Sequence, residues 1–220
     1  MTEPSDSLID DLTLNLAPVR RMRPQALWLG AGLGLLIAVV YICVFYGLRE
    51  ELVAMLNGVW VGQPIILLKP LLFLALGLTS IWAVSGLTRP EGRPKLRYFV
   101  PVLAVGGLVL GNLISELAVS GFGDIPQRLN GGVVVCFTTI LCGGLAGLTV
   151  LWRFWLRRSA SSHPVVLGAM SGLATASLMA SAYALHCNMD APVYIALVYG
   201  LAVAIFTGGA ALLGGRLLRW

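Results

Sequence analysis

Residues 165–185, VVLGAMSGLATASLMASAYAL, run for 21 positions without one charged side chain. A helix of about 20 apolar residues crosses a hydrocarbon core about 30 Å thick. This stretch is therefore long enough to span a bilayer. Its apolar residues form a continuous run and do not alternate, which favours a helix over a barrel strand.

Working outward, the same pattern recurs on both sides. Residues 193–213 follow it, and 131–152, 98–120, 65–87 and 27–46 precede it, all joined by short loops. The sequence predicts an all-α polytopic membrane protein of six transmembrane helices. Residues 27–220 form the bundle and residues 1–26 form a separate aqueous segment. Composition agrees: 58% of residues are hydrophobic, 11% are charged, and the mean hydropathy is +0.87. Soluble domains carry about 25% charged residues. The first apolar run starts at Leu27 and has no small-residue cleavage site after it, so it reads as a retained helix.

The basic residues alternate between the two ends. One set of segments holds Arg20, Arg21, Arg23, Arg89, Arg93, Lys95, Arg97, Arg153, Arg157, Arg158, Arg216 and Arg219. The other holds only Arg49, Lys69 and Arg128. The positive-inside rule then puts both termini in the cytoplasm. The net charge of +5 is accounted for by topology, not by a nucleic-acid footprint, which needs a patch on a soluble domain. Lys69 is expected to snorkel to the interface, with Pro70 tolerated near a helix start. Trp28, Trp60, Trp152, Trp155 and Trp220 flank the spans as interfacial anchors.

Helices in lipid associate by close packing, which small residues permit. Four-residue spacings occur at Gly30 and Gly34, at Gly107, Gly111 and Ser115, and at Gly168, Gly172, Ala176 and Ala180. Gly132, Cys136, Gly143 and Gly147 share one face of the fourth span. These stripes predict one compact bundle. The spans show no internal repeat of the transporter kind.

The aqueous segment contains Ser7, a candidate cap, followed by an amphipathic stretch. Leu8, Ile9, Leu12 and Leu16 fall on one arc of about 100°, while Asp10, Asp11 and Asn15 face elsewhere. A membrane-surface helix carries Lys or Arg on its polar face, and this one carries acid. A partner groove read by anchors four residues apart suits the stripe. A disordered leader, or a stub packed on the bundle's own loops, is the plainer alternative.

Of the four cysteines, none form a CxxC pair, so a thioredoxin-like oxidoreductase is not indicated. Cys43 and Cys142 read as small apolar residues. Cys136 lies about 7 Å inside the outer end of its span, and Cys187 lies just past the end of the next. Both approach the oxidising side, where disulfides persist. Their spacing leaves a bridged, a reduced and a metal-bound pair all open. His186, Cys187 and Asp190 sit within five residues, and with Cys136 make a conceivable soft-metal set. The plainer reading is a capped turn, with Asp190 ahead of Pro192. Glu116, with Asn112 a turn deeper, is an intramembrane carboxylate and so a candidate for proton or substrate handling, or a partner of Arg128. His163 reads as solvated. A small transporter or membrane enzyme using Glu116 and His186 is the competing function, but few polar groups converge at mid-membrane.

Three places resemble the NrsF family of membrane anti-sigma factors. Residues 8–24, LIDDLTLNLAPVRRMRP, are similar to the family's opening helix and its Pro-Val-Arg tail. Cys136 matches a family cysteine at the start of the fourth span. Residues 184–220 resemble its His-Cys…Asp-Ser-Pro motif and its Leu-Leu-Arg-Trp ending, with Ala191 where Ser is usual and Asn188-Met189 in place of Pro-Glu. The resemblance implies that this is no enzyme. It implies that the N-terminal segment holds an extracytoplasmic-function sigma factor at the membrane. It further implies that Cys136 and Cys187 support a response to oxidants or heavy metals. No resident cofactor and no direct nucleic-acid contact are expected, only a transient heavy-metal ion.

Overall fold

A computed structural model describes residues 11, 13, 14, 24–59, 62–121, 123, 125–129 and 131–218. Leu8, Ile9, Asp10, Leu12 and Leu16 of the amphipathic stripe lie outside the described residues. Asp11 is helical and exposed.

Six helices are long and apolar enough to cross a membrane, and no strand occurs among the described residues. They are α1 (Pro24–Phe45), α3 (Ile65–Leu87), α4 (Leu96–Ser120), α6 (Val133–Phe154), α7 (Pro164–Ala184) and α8 (Pro192–Leu217). Two short helices sit in the loops, α2 (Glu50–Leu56) and α5 (Ile125–Arg128). The expected spans agree to within a few residues, and the second agrees exactly at both ends. Prolines at the first positions of α7 and α8 start those helices where an amide hydrogen would be unsatisfied anyway.

The quoted stretch is the axis of the molecule. Across its most apolar 18 residues, α7 is 83% buried, whereas α4 is 0% buried and α1 is 11% buried. Its Gly, Ala and Ser positions let α3, α6 and α8 press against it. A Cβ at Gly168 would stand 2.4 Å from the Ala210 carbonyl oxygen and 2.9 Å from Gly214 Cα. Only glycine permits that crossing of α7 and α8. Ser181 adds a hydrogen bond of 2.8 Å to the Pro70 carbonyl of α3.

The small-residue stripes divide into two kinds. Those of the fourth and fifth spans are packed, as at Gly143 against Met179 and Gly147 against Thr175. Those of the first and third are not: Gly30, Gly34, Gly107 and Gly111 meet nothing within 4 Å. The expectation that every stripe serves the bundle is corrected here. A spacing says which residues share a helix face but not whether that face turns inward.

Contacts gather the loops at two ends. At one end, the loops after α1, α5 and α7 meet through Arg49, Gly131 and Cys187. At the other, Ser162 donates to the Gly92 carbonyl, joining the loops after α3 and α6.

Candidate functional site

The Cys136–Cys187 pair lies at the first of these ends. Cys136 sits in the first turn of α6, its amide donating to the Gly132 carbonyl at 2.8 Å. Cys187 follows α7, its amide held by the Tyr183 carbonyl at 3.1 Å. These backbone anchors bring the two sulfurs to 3.9 Å. Both are free cysteines, only 4% and 5% exposed. A bridge requires about 2.05 Å, so closing by about 2 Å would join them.

Tyrosines surround the pair. The Tyr183 hydroxyl accepts from Cys136 Sγ at 3.4 Å. The Tyr194 hydroxyl lies 2.9 Å from Cys136 Sγ and 3.1 Å from the Gly131 carbonyl, and its single proton can serve one of them at a time. The start of α8 explains how two tyrosines reach this place. In a regular α-helix, Tyr194 and Tyr199 would point about 140° apart. Residues Ile195–Gly200 are instead a π-helical segment, whose i to i+5 bonding brings residues five apart onto nearly one face. The two rings stand 6.4 Å apart.

Beneath the Cys187 loop lies a pair of buried cations. Lys69, 1% exposed, donates to the carbonyls of Met189 at 2.8 Å and Cys187 at 3.2 Å, and to Asp190 Oδ1 at 3.3 Å. Its ammonium also stands 4.7 Å over the Tyr199 ring. Arg49 grips Asp190 through both Nη atoms, at 3.3 and 2.8 Å, and donates to the Cys187 carbonyl at 3.4 Å. One carboxylate shared by two cations thus clamps residues 185–191 onto α3. The Cys187 thiol is held below its ordinary pKa, chiefly by the hydrogen bond from Cys136 and also by the Lys69 charge, with burial opposing.

Snorkelling of Lys69 to the membrane interface is therefore a reading the geometry corrects. The backbone carbonyls of the loop solvate its ammonium inside the protein. His186 and Asp190 are not drawn to the sulfurs as ligands. His186 Nδ1 is 3.1 Å from the Gly47 carbonyl, which can only accept, and Asp190 is committed to its cations. Among the described residues, no three His, Cys, Asp or Glu side chains cluster as a metal site. Glu116 pairs with Arg128 and accepts the Val193 amide at 2.6 Å. It caps the N-terminus of α8, where a carboxylate is favoured. Asn112 bonds back to Leu108 in its own helix. Cys142 is exposed and Cys43 half-buried, both apart from the pair.

The family model for the negative regulator of sigma F, NrsF, matches residues 12–220. The chain belongs to the NrsF family. It is also similar to the anti-sigma-F factor NrsF of Caulobacter vibrioides, at 28% identity over 221 residues, covering 98% of this chain and 99% of that protein. No solved structure matches. An NrsF protein is a regulator and not an enzyme, which agrees with the absence of a catalytic motif in the sequence.

Sequence reasoning about this NrsF chain missed Arg49, Lys69, Tyr183, Tyr194 and Tyr199. Lys69 carried a signal: a lysine five residues into a 23-residue apolar helix needs a partner wherever it cannot reach water. The tyrosines carried none, because their convergence depends on the π segment.

Proposed function

We propose that this protein is an anti-sigma factor of the bacterial inner membrane with both termini in the cytoplasm. Its N-terminal segment holds an extracytoplasmic-function sigma factor, with Leu8, Ile9, Leu12 and Leu16 as anchors and Asp10 and Asp11 meeting basic residues of the partner. Cys136 and Cys187 sense oxidants or soft metals from the outer side and trigger release. By the alternation of segments along the sequence, twelve of the fifteen basic residues fall on the side opposite Arg49, Lys69 and Arg128, which favours this orientation.

The observation that carries the reading is the buried pair of sulfurs 3.9 Å apart. With a hydroperoxide, the Cys187 thiolate takes the terminal oxygen and expels the remainder as hydroxide or alkoxide. Cys136 then displaces water from the sulfenic acid to form the disulfide. A soft metal ion would instead bind the Cys187 thiolate and Cys136 together, releasing the Cys136 proton. Either event tightens α6 against the loop between α7 and α8, changing how the bundle presents its cytoplasmic segment. A tenfold rise in free sigma factor requires a shift of only about 1.4 kcal/mol.

The test uses the full-length protein in its own membrane. Leu12→Asp is expected to lose sigma-factor capture while still inserting. Cys136→Ser combined with Cys187→Ser is expected to keep capture and lose induction by peroxide or cadmium. Normal induction in the double variant would rule out the thiol switch, and undiminished capture by Leu12→Asp would rule out the N-terminal anchor. The transporter reading is disfavoured because Glu116 and His186 are each engaged within the fold.

A further inference from the structure

The end of the bundle away from the thiols carries a pocket of about 270 Å³, formed by the end of α3, the start of α4 and the loop between them. Arg89, Arg93, Lys95 and Arg97 line it, with Glu91 as its one acid. Among the described residues, none of these four cations has a carboxylate within ion-pair distance. Like charges gathered this way repel unless an anion joins them.

The loop is folded tightly. A Cβ at Gly92 would stand 2.3 Å from the Gly86 carbonyl oxygen, so the loop lies directly against the end of α3. Lys95, the N-cap of α4, makes no side-chain cap, and first-turn amides of a long helix add to the favourable field for an anion. Arg97 is stacked 4.7 Å from the Trp82 ring and 5.4 Å from the Tyr98 ring. Aromatic rings of this kind favour the headgroup level of a bilayer.

Apolar side chains run away from the pocket on both helices. Leu78 and Trp82 of α3 are 37% and 39% exposed, and Leu96, Val100 and Leu103 of α4 share one exposed face. A free phosphate would engage only the polar half of this arrangement. A phospholipid would engage both halves.

We propose that this pocket binds the phosphate of an anionic phospholipid, with Arg93, Lys95 and Arg97 on the headgroup and the acyl chains along the exposed faces of α3 and α4. The proposal depends on the membrane setting and is independent of the thiol switch.

The test uses full-length protein in mild detergent, with lipid binding followed by native mass spectrometry and thermal unfolding. Phosphatidylglycerol is expected to bind and stabilise, while phosphatidylethanolamine and inorganic phosphate are not. Arg93→Gln with Lys95→Gln is expected to weaken phosphatidylglycerol binding about 30-fold, from two lost cation contacts. Lys95→Gln alone is expected to weaken it about fivefold. Arg157→Gln with Arg158→Gln, on the neighbouring basic loop, is expected to leave binding unchanged. Three results would overturn the proposal: equal binding of the two lipids, an equal loss in the Arg157 and Arg158 variant, or the same stabilisation by inorganic phosphate. The last would leave an anion pocket without a lipid.

Discussion

The two ends of the bundle handle positive charge in opposite ways. At the thiol end, Arg49 and Lys69 are buried and share the carboxylate of Asp190. At the other end, Arg89, Arg93, Lys95 and Arg97 are exposed and have no acidic partner within ion-pair distance among the described residues. The difference teaches that one residue type serves two purposes. Cations at the thiol end fix the loop that carries Cys187. Cations at the far end stay exposed with no described carboxylate beside them, the charge that the proposed lipid headgroup would meet.

The largest expected effect comes from removing the shared carboxylate. Asp190→Asn leaves Lys69 without its counter-charge and Arg49 with Glu51 alone, and breaking a buried pair costs about 3–5 kcal/mol. Asp190 keeps some access to solvent, which places the loss at the low end of that range. Thermal unfolding in detergent should show it, whereas Arg93→Gln should stay within about 0.5 kcal/mol of wild type. Equal losses would erase the contrast between the ends. The next effect concerns packing. Gly168→Val drives a side chain into the Ala210 carbonyl and should cost about 1–3 kcal/mol, while Gly107→Val meets open space and should be near neutral. Smaller again is Glu116→Gln. It weakens the pair with Arg128, whose side chain is 34% exposed, but leaves an acceptor for the Val193 amide, a loss of about 1 kcal/mol. A larger loss, or a change in solute flux across liposomes, would reopen a role for Glu116 beyond capping.

These effects also mark what the sequence could reveal. Uninterrupted apolar runs fixed six spans, because hydrocarbon thickness leaves little choice of length. Cys136 and Cys187 could be placed at one end by counting residues from the span boundaries. Which faces turn inward could not be read: Gly107 and Gly168 occur in the same kind of spacing, yet only Gly168 is packed. Lys69 was misread for a related reason. Its depth along α3 was legible, but the Cys187 loop that folds over it comes from more than 100 residues later in the chain. Tyr199 was hidden because the π segment has no sequence signature comparable to a proline or a cap.

The smallest expected effect is the most diagnostic for the thiol end, because its sign reverses with pH. Cys187 is held below its ordinary pKa by the Cys136 hydrogen bond and by Lys69. A thiolate favoured by the fold contributes stability that is complete above the ordinary thiol value of about 8.5 and lost as pH falls through the lowered value. Lys69→Met removes one of these influences and moves the pKa upward. At pH 4, below the wild-type value of about 5, each unit of rise cuts the thiolate fraction about tenfold while intrinsic nucleophilicity rises about threefold, a net slowing of about threefold. At pH 10 both proteins are thiolate and only the nucleophilicity gain remains, so the variant should react faster there. The measurement is the rate of modification by a small methanethiosulfonate, with Cys43 and Cys142 replaced by serine and the modified residue identified by mass spectrometry. A loop merely loosened by the substitution would react faster at both pH values. A crossing of the two rate profiles therefore separates an electrostatic role for Lys69 from a purely structural one.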